Sequence, residues 1–182
     1  DEEEDLKEKV KKVETEHEET LKEIRRKLED VKREHEKTVE EIRDHNRKVE
    51  ERIRDVERRK DDKSRELEER SERLKRKLEK HNRELDELSK ELEELIERLK
   101  RDIDRVTEEV RRKLRKLERD VDREGATERI RERLEELMRD ARRLNRELDE
   151  KVRKLVEKAR RDNTRVKKKS RELMKEIDDE LR

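Results

Sequence analysis

The apolar positions of this sequence follow an 18-residue repeat, and this repeat constrains the fold more than any other feature. Because one repeat makes about five turns of an α-helix, the repeated side chains line one straight face of a helix. A heptad repeat would instead impose a left-handed supercoil. The repeat runs along the whole chain, in series such as Leu6, Ile24 and Ile42; Leu67, Leu85, Ile103 and Val121; and Leu137, Leu155 and Leu173. The sequence therefore predicts long helices that pack as a nearly straight coiled coil.

The composition agrees with helices rather than with disorder. Only 24% of the residues are hydrophobic, which usually favours a disordered chain. However, the formal net charge is +1, so like charges do not force the chain open, and most polar residues are the helix formers Glu, Lys and Arg. The apolar residues suffice for one buried stripe on each helix. We therefore expect a monomer, with a homo-oligomer as the alternative.

Two stretches interrupt the helical pattern. In residues 60–64, Asp62 or Ser64 could cap a helix by accepting a hydrogen bond from a first-turn N–H. In residues 123–127, Gly125 suits the left-handed position after a helix, and Thr127 suits the next N-cap. These breaks predict one domain over residues 1–182 with helices over about 2–60, 64–123 and 127–182.

Both connections are short, so helices that follow each other in sequence should be antiparallel neighbours. The predicted fold class is all-α, a long antiparallel three-helix bundle. At 1.5 Å per residue, each helix would be about 85–90 Å long.

Uncharged polar residues occupy positions in the apolar stripes, again at 18-residue spacing. If the turns centre near residues 62 and 125–126, the antiparallel register places such residues at common heights. Two predicted layers consist of His17, Thr107 and Asn145, and of His35, Ser89 and Asn163. A third layer joins His81 to Ser170, with Asn46, His45 and Asn82 nearby. Because these layers are satisfied in one register only, we expect them to specify how the helices align.

The buried histidines also permit other interpretations. Burial lowers a histidine pKa, so His17 and His35 predict that acid weakens the fold. A metal site usually needs three or four ligands, and each clear layer offers one histidine; His45 and His81 come nearest to such a site. A His–Ser pair inside regular helices lacks an orienting third group and free oxyanion donors. We therefore expect no enzyme, no catalytic residue, no metal site and no cofactor.

Missing residue types exclude several function classes. Without Cys there is no disulfide framework, without aromatic residues there is no platform for stacking bases, and one Gly cannot make a glycine-rich phosphate loop. The basic run over residues 160–171 could attract nucleic acid nonspecifically, but we expect its charges to pair with acidic neighbours. We expect no required partner, no specific nucleic acid and no membrane span. We expect the chain to be soluble when it is expressed in the cytoplasm of a recombinant host, and to have no natural location.

The repeat in all three helices, the translated His–Thr/Ser–Asn layers and the surface of Glu, Lys and Arg resemble de novo computationally designed parametric helical bundles with buried hydrogen-bond networks. The resemblance covers the whole chain. It implies a designed structural scaffold with no natural biochemical function and no catalytic or binding residues to carry over.

Two alternative functions stay open. Designs of this style include pH-responsive or two-state assemblies of helical hairpins, so a pH-responsive or oligomerising switch is the first alternative. The third long helix and the narrow apolar stripe favour a monomer over such an assembly. The second alternative is a natural coiled-coil spacer rod, similar to spectrin repeats, although those use shorter helices and aromatic packing that this chain lacks.

Overall fold

The computed structural model describes residues 1–59 and 65–180, with Arg59 described by its backbone alone. Three α-helices form this part of the chain: α1 (Glu2–Arg59), α2 (Arg65–Glu124) and α3 (Glu128–Glu180). Each helix packs against the other two, which confirms the prediction of an all-α three-helix bundle. The first predicted turn, with its candidate caps Asp62 and Ser64, lies outside the described residues. None of the described helices has an apolar stretch long enough to span a bilayer.

Segments of all three helices form two compact units. Unit 1 consists of Asp1–Asp30 and Leu95–Val156, and unit 2 consists of Val31–Glu94 and Glu157–Arg182. The prediction of a single domain stays a prediction.

Both units contain clusters of buried apolar side chains. One cluster in unit 1 consists of Leu6, Val10, Val13, Val110, Leu114, Leu117, Val121, Ile130, Leu134, Leu137 and Ala141. Unit 2 contains two apolar clusters, one of Val49, Ile53, Leu74, Leu78, Leu173 and Ile177, and one of Val39, Ile42, Leu85 and Val166. No large hydrophobic side chain among the described residues is exposed. The apolar stripes of the helices are therefore buried by contacts between these helices.

The second predicted turn is confirmed. Gly125 has a φ of 80°, and its N–H donates to the carbonyl oxygen of Val121 at 2.9 Å, which is the left-handed ending of a helix. The hydroxyl of Thr127 then accepts from the N–H of Ile130 at 3.3 Å and caps α3. α2 therefore ends, and α3 begins, for reasons that are local in sequence.

Ion pairs on the surface show the helix register directly. Three cations of α1 pair with three aspartates of α2, and each successive pair lies one repeat further along α1 and one repeat back along α2. The pairs are Lys7–Asp122 and Arg25–Asp104 in unit 1, and Arg43–Asp86 in unit 2. α1 and α2 are therefore antiparallel, and both units use the same register. Exposed pairs of this kind contribute roughly 0–1 kcal/mol each, so they report the register more than they stabilise it.

Gly125 offers a test of the turn. A methyl group added there lies 3.0 Å from the Oε1 atom of Glu3, the mobile end of a flexible side chain, so the positive φ is the larger obstacle. We expect Gly125→Ala to lower the free energy of unfolding by about 1–2 kcal/mol, as measured by urea unfolding followed by circular dichroism.

Gly125→Asn is the matched variant, because it adds the same Cβ but tolerates a positive φ better. We expect its loss of stability to be clearly smaller than that of Gly125→Ala. Equal losses would mean that crowding against Glu3, and not the backbone conformation, sets the cost.

Candidate functional site

The candidate site is the set of polar side chains inside the bundle. Eight of the described polar residues are buried: His17, His35, Asn46, Ser71, His81, Asn145, Asn163 and Ser170. Ser89 and Thr107, which complete the predicted layers, are half-buried. All the predicted site residues therefore lie wholly or partly inside, but they differ in whether they find hydrogen-bond partners.

The His35 layer joins all three helices in unit 2. The Nδ1 atom of His35 in α1 lies 2.9 Å from the Oδ1 atom of Asn163 in α3. Its Nε2 atom lies 3.0 Å from the Oγ atom of Ser89 in α2. These are the three residues that the sequence assigns to one layer.

The chemistry of these groups fixes the direction of each hydrogen bond. A carbonyl oxygen only accepts, so Nδ1 of His35 carries the hydrogen that Asn163 accepts. In a neutral ring Nε2 is then the acceptor, and the Ser89 hydroxyl donates to it. Both ring nitrogens of a histidine that is 4% exposed are satisfied, which is the condition for burying such a group without a large penalty.

A second network surrounds Ser170 in unit 2. The Oγ atom of Ser170 donates to Oδ1 of Asn46 at 3.0 Å and lies 2.7 Å from Nδ1 of His45. Because the hydroxyl has one hydrogen, Nδ1 of His45 must donate to it. The Nδ2 atom of Asn46 donates in turn to Oδ1 of Asn82 at 2.7 Å. The chain of bonds links α3 to α1 and α1 to α2.

The predicted pair of His81 and Ser170 is wrong. Ser170 is held by two side chains of α1, His45 and Asn46, and the Nε2 atom of His81 is buried without a partner. The neighbouring polar pairs His45–Asn46 and His81–Asn82 signalled this network in the sequence, but spacing alone did not show which members reach Ser170.

The predicted layer of His17, Thr107 and Asn145 in unit 1 does not form as a hydrogen-bonded set. His17 is 5% exposed, yet neither of its ring nitrogens has a partner, and Oδ1 of Asn145 is also buried without one. The hydroxyl of Thr107 donates to the carbonyl oxygen of Ile103 in its own helix at 2.8 Å. The equivalent residues of the His35 layer are joined by hydrogen bonds, whereas these three are not.

The hydroxyls of four threonines and of two serines bond differently in these helices, and this difference explains the failed layer. Four threonine hydroxyls donate to the carbonyl of the preceding helical turn, and these are Thr15, Thr20, Thr107 and Thr164. In contrast, Ser89 and Ser170 reach across to other helices. A β-branched residue has few side-chain rotamers in a helix, and threonine favours those that let its oxygen bond the preceding turn.

The pKa values of two histidines, His17 and His81, are lowered. Burial lowers the pKa of His17 below its usual value of 6.5, and the neighbouring carboxylate of Glu18 opposes this in part. Burial also lowers the pKa of His81; Glu84 opposes the shift, whereas Lys169 and His45 add to it. Both histidines have an unpartnered buried nitrogen, and only charged neighbours oppose the effect of burial on their pKa values.

The basic run over residues 160–171 is partly neutralised by acidic side chains of the other helices. Arg160 pairs with Glu34, Lys167 with Glu41, and Lys169 with Glu84, at distances of 3.2–3.3 Å. In the part of the chain that the structure describes, no three His, Asp or Glu side chains are grouped so that they could hold a metal ion.

Comparison with models of protein families, with curated proteins and with solved structures finds no match to this chain.

Exchanging serine and threonine between the two translated layers tests the explanation for the failed one. We expect Thr107→Ser to raise the free energy of unfolding by about 1 kcal/mol, because its hydroxyl can reach His17 as Ser89 reaches His35. We expect Ser89→Thr to lower it by about 1–2 kcal/mol, because Nε2 of His35 loses its donor. Urea unfolding followed by circular dichroism measures both changes.

The same Thr107→Ser change in a His17→Ile background is the control. The equivalent position two repeats after His17 holds Ile53, so isoleucine suits the site. The substitution removes the hydrogen-bond acceptor. A gain from Thr107→Ser that persists in this background would show that the hydroxyl does not act through His17.

The lowered histidine pKa values predict a loss of stability in mild acid. Because the folded chain favours neutral His17 and His81, the unfolded chain binds more protons as the pH falls below about 6.5. The stability present at pH 7.5 is therefore lost progressively towards each lowered pKa. At pH 5.5 the loss is at most about 1.4 kcal/mol for each histidine. Urea unfolding at pH 7.5 and 5.5, above the range where carboxylates titrate, measures it.

The double variant His17→Ile and His81→Leu should be much less sensitive to the same change of pH. Leu99 and Leu117 occupy the positions equivalent to His81 in the next two repeats, so the substitution suits its site. An unchanged pH dependence in the double variant would place the acid sensitivity in other groups.

Proposed function

We propose that this chain is a designed structural scaffold without a natural biochemical activity, and that its buried polar layers specify the helix register. The observation that carries the proposal is the His35 layer. One side chain from each helix meets there, and both ring nitrogens of a buried histidine are satisfied by the other two residues. A shift of one helix by a turn would separate these groups by about 5.4 Å and leave them buried without partners.

Repetition in the surface contacts supports a designed origin. The ion pairs between α1 and α2 recur at 18-residue intervals with the same chemistry, a cation of α1 against an aspartate of α2. Two surface depressions between α2 and α3 also repeat: every residue that lines one has its counterpart two repeats away in the other. His81 in one depression corresponds to Leu117 in the other. Identical spacing on core, layers and surface is typical of a bundle generated from a geometric repeat.

Monomeric assembly is part of the proposal. The described surface exposes no large hydrophobic side chain, and its ion pairs join helices of the same chain. A stable interface between copies usually has a more apolar centre than such a surface provides.

A pH-responsive module is the second candidate, and the unpartnered nitrogens of His17 and His81 favour it. Their protonation would place a charge inside the bundle where no acceptor is in contact. The scaffold interpretation accounts for the satisfied His35 layer, whereas the pH-responsive one accounts for the two unsatisfied histidines.

Cross-linking of engineered cysteines tests the register proposal, since the chain has no Cys of its own. Arg43 and Asp86 contact each other across α1 and α2 at 3.1 Å. The pair Arg43→Cys and Asp86→Cys therefore reports the native register with a short thiol cross-linker. The pair Arg43→Cys and Lys90→Cys reports a shift of about one turn.

Both cysteine pairs are introduced into two versions of the chain. One version keeps the native layer, and the other has an apolar layer made by His35→Leu, Ser89→Ala and Asn163→Leu. We expect the apolar layer to be at least as stable towards urea, because it buries no polar group. We also expect the shifted pair to cross-link several-fold more in it than in the native layer. If the apolar layer cross-links only in the native register, the polar layer does not specify the register.

A further inference from the structure

A row of exposed arginines runs along the outward face of α2 in unit 1. Its members follow one another at steps of three, four or seven residues, which keeps them within an arc of about 80° on the helix. The arginine row consists of Arg101, Arg105, Arg112, Arg115, Arg119 and Arg123, and all six residues are exposed. It extends over about 33 Å, and Glu108 is the one carboxylate within it.

Three aspartates near the arginine row are engaged by other helices. Asp104 pairs with Arg25 of α1, and Asp122 pairs with Lys7 of α1. Asp120 pairs with Arg133 of α3 at 3.0 Å. These acidic side chains therefore neutralise cations between the helices and not the outward arginines.

The arginines themselves have few acidic partners. None of the ion pairs among the described residues includes Arg112, Arg115, Arg119 or Arg123, although Glu108, Glu118 and Asp122 line the same surface depression as the first three. Arg105 lies 3.9 Å from Asp102, at the limit of an ion pair. The positive charge of the row is thus directed at solvent, in contrast to the basic run of α3, where three cations are paired with acidic residues of α1 and α2.

The same face of α2 in unit 2 lacks this concentration of charge. The positions two repeats earlier largely alternate in sign, and in order they hold Arg65, Glu69, Glu72, Arg76, Glu79, Arg83 and Glu87. Glu69, Glu79 and Glu87 there correspond to Arg105, Arg115 and Arg123 in unit 1. The alternating pattern is compatible with the same helix, so packing does not require the additional arginines.

We propose that the arginine row is a binding surface for the phosphate backbone of a nucleic-acid duplex, without base specificity. Guanidinium groups bind phosphate oxygens with two hydrogen bonds each, and a row of about 33 Å is close to one turn of a duplex. The chain has no aromatic residue to stack on unpaired bases, so a paired duplex fits better than a single strand. The described surface has no exposed large hydrophobic residue for insertion into a lipid bilayer.

Binding by this surface should depend strongly on salt. Each phosphate that is neutralised releases counterions, so six contacts give a slope of log affinity against log salt of about −5. We expect the binding to be measurable at about 50 mM salt by fluorescence anisotropy with a labelled 20-base-pair duplex, and to be largely lost at about 200 mM.

The repeat provides matched variants for the test. Arg105→Glu, Arg115→Glu and Arg123→Glu give unit 1 the alternating pattern that unit 2 already has. Arg105→Gln, Arg115→Gln and Arg123→Gln are a milder set that avoids new negative charge near the end of α2. The control set makes the same change of net charge on the same face in unit 2, with Arg76→Glu, Arg83→Glu and Lys90→Glu. Circular dichroism and urea unfolding establish that each variant is folded.

We expect the Glu set in the arginine row to weaken duplex binding at least tenfold and the Gln set severalfold. The Gln set should also make the salt slope about three units shallower. The control set in unit 2 should weaken binding much less. Equal losses in both units would mean that net charge alone attracts the duplex, and the proposal would fail. It would also fail if the native chain bound phosphatidylserine vesicles but not the duplex, or bound neither at about 50 mM salt.

Discussion

The 18-residue repeat common to the three helices is the constraint on which the rest of the structure depends. Since about five turns bring the apolar face back to the same direction, each helix presents a straight stripe to its neighbours. A contact made at one height therefore recurs one repeat away, as in the pairs Lys7–Asp122, Arg25–Asp104 and Arg43–Asp86. The same property also permits the helices to align in a wrong register, because a repetitive apolar stripe alone distinguishes poorly between registers. Polar groups that are satisfied in one alignment only remove this ambiguity.

The two translated layers show that one side chain decides whether such a hydrogen-bonded layer forms. His35 and His17 occupy equivalent positions, and Asn163 and Asn145 do as well. One layer has Ser89 and closes, whereas the other has Thr107, whose hydroxyl bonds its own backbone. A single methyl group thus separates a histidine whose two ring nitrogens are hydrogen-bonded from one in which neither nitrogen is. We propose that the closed layer specifies the register, and we expect the unsatisfied His17 to make the fold sensitive to acid.

The sequence predicted the features that depend on period and local signals. Gly125 and Thr127 mark a turn through their own backbone and capping preferences. The positions of the turns, taken together with the repeat, predict that His35, Ser89 and Asn163 lie at one height. Spacing does not encode the rotamer of Thr107, so the other layer was predicted to close when it does not. Nor does it decide which side chain at one height reaches Ser170, because that depends on rotation of the helices by a fraction of a turn. The prediction therefore failed below the scale of one helical turn.

Surface charge is the least constrained part of this architecture, and for that reason it can vary without changing the fold. The outward positions of α2 hold glutamates at 69, 79 and 87 in one unit and arginines at the equivalent positions 105, 115 and 123 in the other. Helix propensity is nearly the same for both residue types, and neither touches the core. The exchange nevertheless converts a face of alternating charge into a row that attracts phosphate. In a bundle whose interior is fixed by a repeat, a binding property can thus differ between two units that are built from the same packing.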